Sequence, residues 1–227
     1  MNRRSESEID VGLFAVAREI AGPVALMRQI ALSMEGLDAE EREDVSKQLV
    51  SVSERVLDQI DDLMRVSCLA DGLFEMEPVA VRGVCRDVTD EIARVMGVKL
   101  KVSYRNQQKL VVANRELLTA LMKQLCYLGL RNTETGTEAR LSVNDTKGRV
   151  RMAVRDYGPS LPRTVVRNIR AGTMSRLAPN EMRVGGVGLV VASKFVEYMQ
   201  GELGVVAHRD GVSLWVDLPV SKQAVLC

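Results

Sequence analysis

Apolar residues recur at three- and four-residue intervals from Leu13 through Val16, Ala17, Ile20, Val24, Met27, Ile30 and Ala31 to Met34. That spacing places them along one side of a helix. Gly36-Leu37-Asp38 interrupts the stripe, and Asp38 followed by Glu40, Glu41 and Glu43 has the composition of a helix start, where acidic groups meet the positive end of the helix dipole. The stripe resumes as Val45, Leu49, Val52, Val56, Ile60, Leu63 and Val66, and stops at Gly72, with Pro78 shortly beyond. The pattern predicts two long helices in a hairpin over residues 1–72. Each stripe is only partly covered by the other, so a second hairpin from another copy would complete a four-helix bundle.

Beyond Gly72 the period changes. It predicts a strand near Phe74–Pro78, a helix over Val81–Met96, strands at Leu100–Tyr104 and Leu110–Ala113, and a helix over Arg115–Arg131. Two alternating strands follow, Ala139–Asn144 and Val150–Arg155, turned at Asp145-Thr-Lys-Gly148. Residues 157–187 are read as irregular apart from a short helix at Thr164–Arg170. A helix over Leu189–Met199 and a hairpin, Leu203–Ala207 and Val212–Leu218, close the chain. This order implies an α+β two-layer sandwich over residues 73–227, an antiparallel-rich sheet with helices on one face. Trp215 falls between Leu214 and Val216 and is expected in the core. His208, at the edge of the last hairpin, is expected to be exposed.

Composition narrows the class. Apolar residues make up 46% and charged residues 27%, which excludes collagen-like and disordered chains. Cys68, Cys85, Cys126 and Cys227 share no CxxC spacing, and His208 is the single histidine, so neither a zinc site nor a disulfide framework is expected. No apolar run approaches the ~20 residues of a membrane span, so the expectation is a cytoplasmic protein without membrane contact. The net charge of +1 hides a division: residues 1–72 carry −7 and residues 73–227 carry +8. Ten of the cations, from Arg140 to Arg183, fall within 44 residues of chain. An anionic partner and a solvated basic face both account for them.

Two glycine-bearing motifs supply the candidate chemistry: Asp156-Tyr-Gly-Pro-Ser-Leu-Pro162 after a strand, and Gly185-Gly-Val-Gly-Leu189 opening a helix. In this order, after a helical hairpin, they resemble the dimerisation-plus-ATPase core of bacterial sensor histidine kinases, whose ATPase is of the GHKL type, over roughly residues 13–220. The resemblance implies that Asp156 accepts a hydrogen bond from an adenine amino group and that Gly158 lets backbone approach the base. It also implies that Gly186 and Gly188, at the N-terminus of the helix Leu189–Met199, face phosphates. Arg131 matches a basic position that neutralises phosphate, and it equally suits a helix C-terminus. ATP or ADP is the expected ligand, held weakly.

The departures from that family are as informative. Where it carries His-Glu-x-x-x-Pro, this chain reads Arg18-Glu19-Ile20-Ala21-Gly22-Pro23. A guanidinium stays protonated and has no lone pair for phosphorus, so Arg18 cannot act as a phosphate acceptor. Where the family carries Asn-x-x-x-Asn-Ala-x-Lys/Arg, the run is Gln124-Leu-Cys-Tyr-Leu128-Gly-Leu-Arg131. The second asparagine there binds Mg²⁺, and Leu128 has no oxygen to offer. With Arg18, Glu19, Gln124 and Leu128 degenerate, no catalytic residues and no metal are expected. The implied function is that of a homodimeric pseudokinase that is not an enzyme and binds a response regulator or a sensor kinase as scaffold or regulator. The alternative is an ATP-binding enzyme or phosphorelay component. A nucleic-acid surface is not expected, because Tyr157 is the only aromatic within the basic segment.

Overall fold

The computed structural model describes residues 21–105, 109–133, 138–174 and 182–222. The first eight residues of the predicted first stripe, with Arg18 and Glu19, lie outside them. The chain divides into two compact units between Met64 and Arg65.

The first unit holds helix α1 (21–33) and most of α2 (Ala39–Cys68). The turn falls at Gly36, and Asp38 caps α2 reciprocally: Glu41 N donates to Asp38 Oδ1 at 2.9 Å and Asp38 N donates to Glu41 Oε2 at 3.2 Å. Two of the otherwise unpaired N–H groups at that terminus are thus satisfied. On α2, Val56 is buried, whereas Val50, Leu57 and Met64, spaced seven residues apart, are each more than half exposed, at 55%, 61% and 62%. Val24, Leu26 and Leu32 of α1 are exposed as well.

The second unit is an α+β sandwich. A short 3₁₀ turn, Leu69–Asp71, ends at Gly72 in the left-handed conformation, as the stripe's end predicts. The elements then run β1 (Glu77–Val79), α3 (Val81–Met96), β2 (Lys101–Arg105), β3 (Val111–Ala113), α4 (Arg115–Asn132), β4 (Arg140–Thr146), β5 (Arg149–Arg155), α5 (Arg163–Arg170), α6 (Met182–Tyr198), β6 (Glu202–His208) and β7 (Gly211–Pro219). Five strands form one sheet in the order β2-β4-β5-β7-β6, parallel only between β2 and β4, and β1 pairs with β3 as a separate two-stranded piece.

Helices α3, α4 and α6 cover one face of the large sheet. Val84, Cys85, Val88 and Ile92 of α3, Leu117, Leu121, Met122 and Leu125 of α4, and Leu189, Ala192 and Phe195 of α6 are buried. They meet a row of strand residues set by the register, in which Leu141 pairs with Val154, Val154 with Leu214, Met152 with Val216 and Val150 with Leu218. Burial of side chains of this size contributes about 1.5–3 kcal/mol each, enough to make this face the core of the unit.

Three readings are corrected. The first strand lies at Glu77–Val79, three residues beyond Phe74, because its partner β3 sets where it pairs. The last helix starts at Met182, seven residues before Leu189, so glycines read as its mouth lie inside it. Trp215 is outside the core: Leu214 and Val216 point at the helices, so Trp215 between them points to the opposite face and stays half-buried.

Candidate functional site

Asp156 follows the last residue of β5 and is 5% exposed. Its backbone N–H donates to Val212 O at 2.9 Å, and its Oδ1 accepts from Val212 N at 2.6 Å, so main chain and side chain are both tied to β7. Gly211 makes this possible. Its φ of 141° suits glycine, and a Cβ there would stand 2.4 Å from Asp156 O and 2.7 Å from Asp156 Oδ1. Arg155 closes the corner, donating from Nη1 to Asp156 O and from Nη2 to Asp210 Oδ1, each at 2.6 Å. The carboxyl group is therefore oriented by a backbone N–H 56 residues further along the chain. Sequence reading singled out Asp156 but missed Gly211 and Val212. The signal available was the Arg209-Asp-Gly211 turn, read only as a hairpin end.

The second wall is α4. Asn114 caps it, accepting from Leu117 N at 3.0 Å through Oδ1. Gln124 is 6% exposed and stands against α6: a Cβ on Gly188 would lie 2.7 Å from Gln124 Oε1. One turn on, Leu128 is half-buried, and Gly129 lets α4 approach β5, since a Cβ there would meet Val154 Cγ1 at 2.5 Å. Arg131 is exposed in the last turn of α4. The structure thus brings together Gln124 and Gly188, and joins β5 to both α4 and β7. Gly158 sits half-buried in the bend after Asp156.

Gly186 and Gly188 differ from expectation. Only the first four N–H groups of a helix lack an intrahelical acceptor, and in α6 these belong to Met182, Arg183, Val184 and Gly185. The N–H groups of Gly186 and Gly188 fall within the helical ladder in this conformation. Asp156 offers a buried, oriented carboxylate, while Leu128 offers hydrocarbon and no oxygen to a cation. Among the described residues no three His, Cys, Asp or Glu side chains converge as metal ligands. A separate cleft of about 410 Å³ lies between the end of α5, α6 and the start of β6, lined by Ile169, Arg170, Met174, Lys194, Glu197 and Leu203 among others; none of the predicted site residues lines it.

With this geometry in view, comparison with known proteins decides the family. The profile described as histidine kinase-, DNA gyrase B-, and HSP90-like ATPase matches residues 105–222, just over half of the chain. The chain belongs to that family. The matched span of this ATPase domain runs from the end of β2 to beyond β7 and includes Asp156, Gln124, Leu128 and all of α6. The adaptive-response sensory kinase SasA of Microcystis aeruginosa is 33% identical over 113 residues, 48% of this chain and 29% of that kinase. The chain therefore spans less than a third of that relative. Among solved structures, the histidine kinase ThkA in complex with the response regulator TrrA matches at TM-score 0.59 and 18% identity, covering 98% of this chain and 66% of that one. Full-length ShkA in complex with AMPPNP matches at TM-score 0.58 and 20% identity, covering 95% and 46%. At such identities these structures show that the fold of the ATPase-family chain, helical region included, is that of a histidine kinase core. Among the described residues no helix is long and apolar enough to cross a membrane.

Proposed function

We propose that this chain is a catalytically impaired, histidine-kinase-like signalling protein of the cytoplasm. It dimerises through the hairpin of residues 1–72 and binds a two-component partner, a response regulator or a sensor kinase, as scaffold or regulator. The observation that carries the reading is Leu128, which sits on α4 one turn beyond Gln124 and offers no oxygen to a hard cation. Asp156 is meanwhile kept buried and oriented by Val212. Such a site retains recognition of a base while losing the metal that would activate the phosphates. Arg18 at the aligned phosphoacceptor position adds the chemical argument given above. That ThkA was solved with a response regulator supports the class of partner.

In this reading the residues of the domain, 73–227, hold adenine nucleotide weakly. Asp156 accepts from the base, Gly158 admits it, and Arg131 balances charge. Gly186 and Gly188 would reach phosphates once the first turns of α6 open, and glycine's low helix propensity lowers the free energy of that opening by about 1 kcal/mol per residue. Incubation with labelled ATP and Mg²⁺ tests the proposal: the protein should remain unlabelled. Acid-labile label that disappears in His208→Ala would overturn it. Calorimetry separates the alternative, an ATP-binding enzyme or phosphorelay component. Weak binding hardly altered by EDTA and reduced in Asp156→Ala by about 1.5–3 kcal/mol supports the impaired reading. Tight, Mg²⁺-dependent binding supports the enzyme.

A further inference from the structure

The large sheet has a second face, which the three covering helices do not touch, and its residues follow from the register. Lys101, Ser103 and Arg105 of β2 pair with Arg140, Ser142 and Asn144 of β4. These in turn oppose Arg155, Ala153 and Arg151 of β5, with Arg149 at the next step along. Ser213, Trp215 and Asp217 of β7 continue the surface, and Glu202, Gly204, Val206 and His208 of the edge strand β6 close it. Six cations therefore share one face. Two are committed: Arg151 forms a bidentate pair with Asp217, Nε to Oδ1 at 2.7 Å and Nη2 to Oδ2 at 2.6 Å, and Arg155 bonds Asp210. Lys101, Arg105, Arg140 and Arg149 have no carboxylate partner among the described residues.

Two aromatic rings hold part of this array in place. Arg151 lies 3.9 Å from the Trp215 ring centroid, and that ring is itself seated across Gly204, where a Cβ would come within 2.0 Å of it. Arg140 and Arg155 flank Tyr157 at 5.6 Å and 4.6 Å. Stacking on a ring fixes a guanidinium plane; the N–H edges of Arg151 and Arg155 are taken by Asp217, Asp156 O and Asp210, and those of Arg140 are left for an anion. Across the strands the cations stand about 5 Å apart, and along a strand about 7 Å. Hydroxyl and amide groups of Ser103, Ser142, Asn144 and Ser213 fill the gaps.

We infer that this face binds single-stranded nucleic acid through its phosphate backbone. A protein partner fits less well. Protein interfaces have an apolar centre and are depleted in lysine, whereas nucleic-acid interfaces are more polar and much more positively charged. From β2 to β5 the only apolar side chain on this face is Ala153, at its middle. Lys101 and Arg140, directly opposite on β2 and β4, stand close enough to meet neighbouring phosphates, and the guanidinium planes stacked on Trp215 and Tyr157 can take a base on their free side. Tyr157 alone is visible in the basic segment of the sequence; the fold adds Trp215 from β7.

The test is fluorescence anisotropy of the full chain with a labelled oligothymidylate of about 20 nucleotides, over a range of salt concentrations. Neutralisation of four phosphates predicts a slope of log K against log salt of about −3, since each contact to a single strand contributes about −0.7. Arg140→Glu with Arg149→Glu should weaken binding at least about tenfold at low salt and reduce the slope to about −1.4. Lys101→Glu with Arg105→Glu, on a different strand, should do the same and carries the test if the first pair fails to fold by circular dichroism. Arg86→Glu, exposed on α3 away from this face, should change little. No binding in low salt, or the same affinity and slope in both double variants, would overturn the inference. So would displacement of the oligonucleotide by polyglutamate at equal charge, which would assign the face to an acidic protein.

Discussion

The side-chain oxygen of Gln124 occupies the space that a Cβ at residue 188 would need: the two would be 2.7 Å apart. The contact joins α4 to α6, and it gives the glycine motif a packing role that is separate from any phosphate.

Gly188→Ala is therefore expected to destabilise the domain. Alanine would gain about 0.5–1 kcal/mol from helix propensity, but the overlap falls on a buried amide, and overpacking of this kind costs about 1–3 kcal/mol. In a double-mutant cycle read by urea unfolding, Gln124→Ser should relieve the clash and turn the alanine from destabilising to stabilising. Additive effects would show that the two side chains do not meet.

Gly211→Ala should be the more severe change. Both the φ of 141° and the approach to Asp156 O oppose a Cβ, and the nearest atom is backbone, which cannot rotate away. A loss of about 2–4 kcal/mol is expected, the sum of a strained backbone and a close contact. Because the same backbone orients the Asp156 carboxyl, adenine nucleotide binding measured at a temperature where the variant is folded should also fall. Unchanged binding in a folded variant would separate Asp156 from the ligand.

The proposed dimer has exposed apolar side chains of α2 available to it that lie off the predicted stripe. Val56 is buried, whereas Val50, Leu57 and Met64 are exposed at seven-residue spacing. Val50→Glu with Leu57→Glu should give a folded monomer by light scattering, while Val56→Glu should lose helix content by circular dichroism. A dimer that survives the first pair of changes would move the interface elsewhere.

Cys85 gives the pH dependence. Burial raises its thiol from an ordinary value of 9.0 to about 12, and burial likewise raises that of Cys126. In the unfolded chain the thiol ionises first, so the stability tied to its burial is full below about pH 9 and is lost as pH rises toward 12. Within that window each thiol contributes a slope of about 1.4 kcal/mol per pH unit. Cys85→Ala should flatten the alkaline limb of a stability curve measured by urea unfolding. An unchanged limb would assign alkaline loss to other groups.

Much of the fold was legible in the chain because it depends on local period. The helix Val81–Met96 was read to its ends, since a stripe and Gly97 bound it, and Asp38 was recognised as a cap from its following glutamates. Asp156 and the two glycine motifs were likewise visible as short, ordered strings. The start of α6 was misread because three glycines lower helix propensity locally, and packing of Leu189, Ala192 and Phe195 against the sheet overrides that preference.

What the sequence by itself determined, then, is the order and type of the elements, the hairpin stripes, and the substitutions at residues 18 and 128, all matters of spacing between near neighbours. Only the tertiary structure decided which residues meet: Gly211 and Val212 against Asp156, Gly188 against Gln124, and Trp215 beside Arg151 on the outer face. Those pairings depend on strand register, in which a shift of one residue exchanges the two faces of a sheet. Register is settled by the buried row of Leu141, Val154, Leu214 and Val216 packing as a set, and no single segment of the chain contains that row.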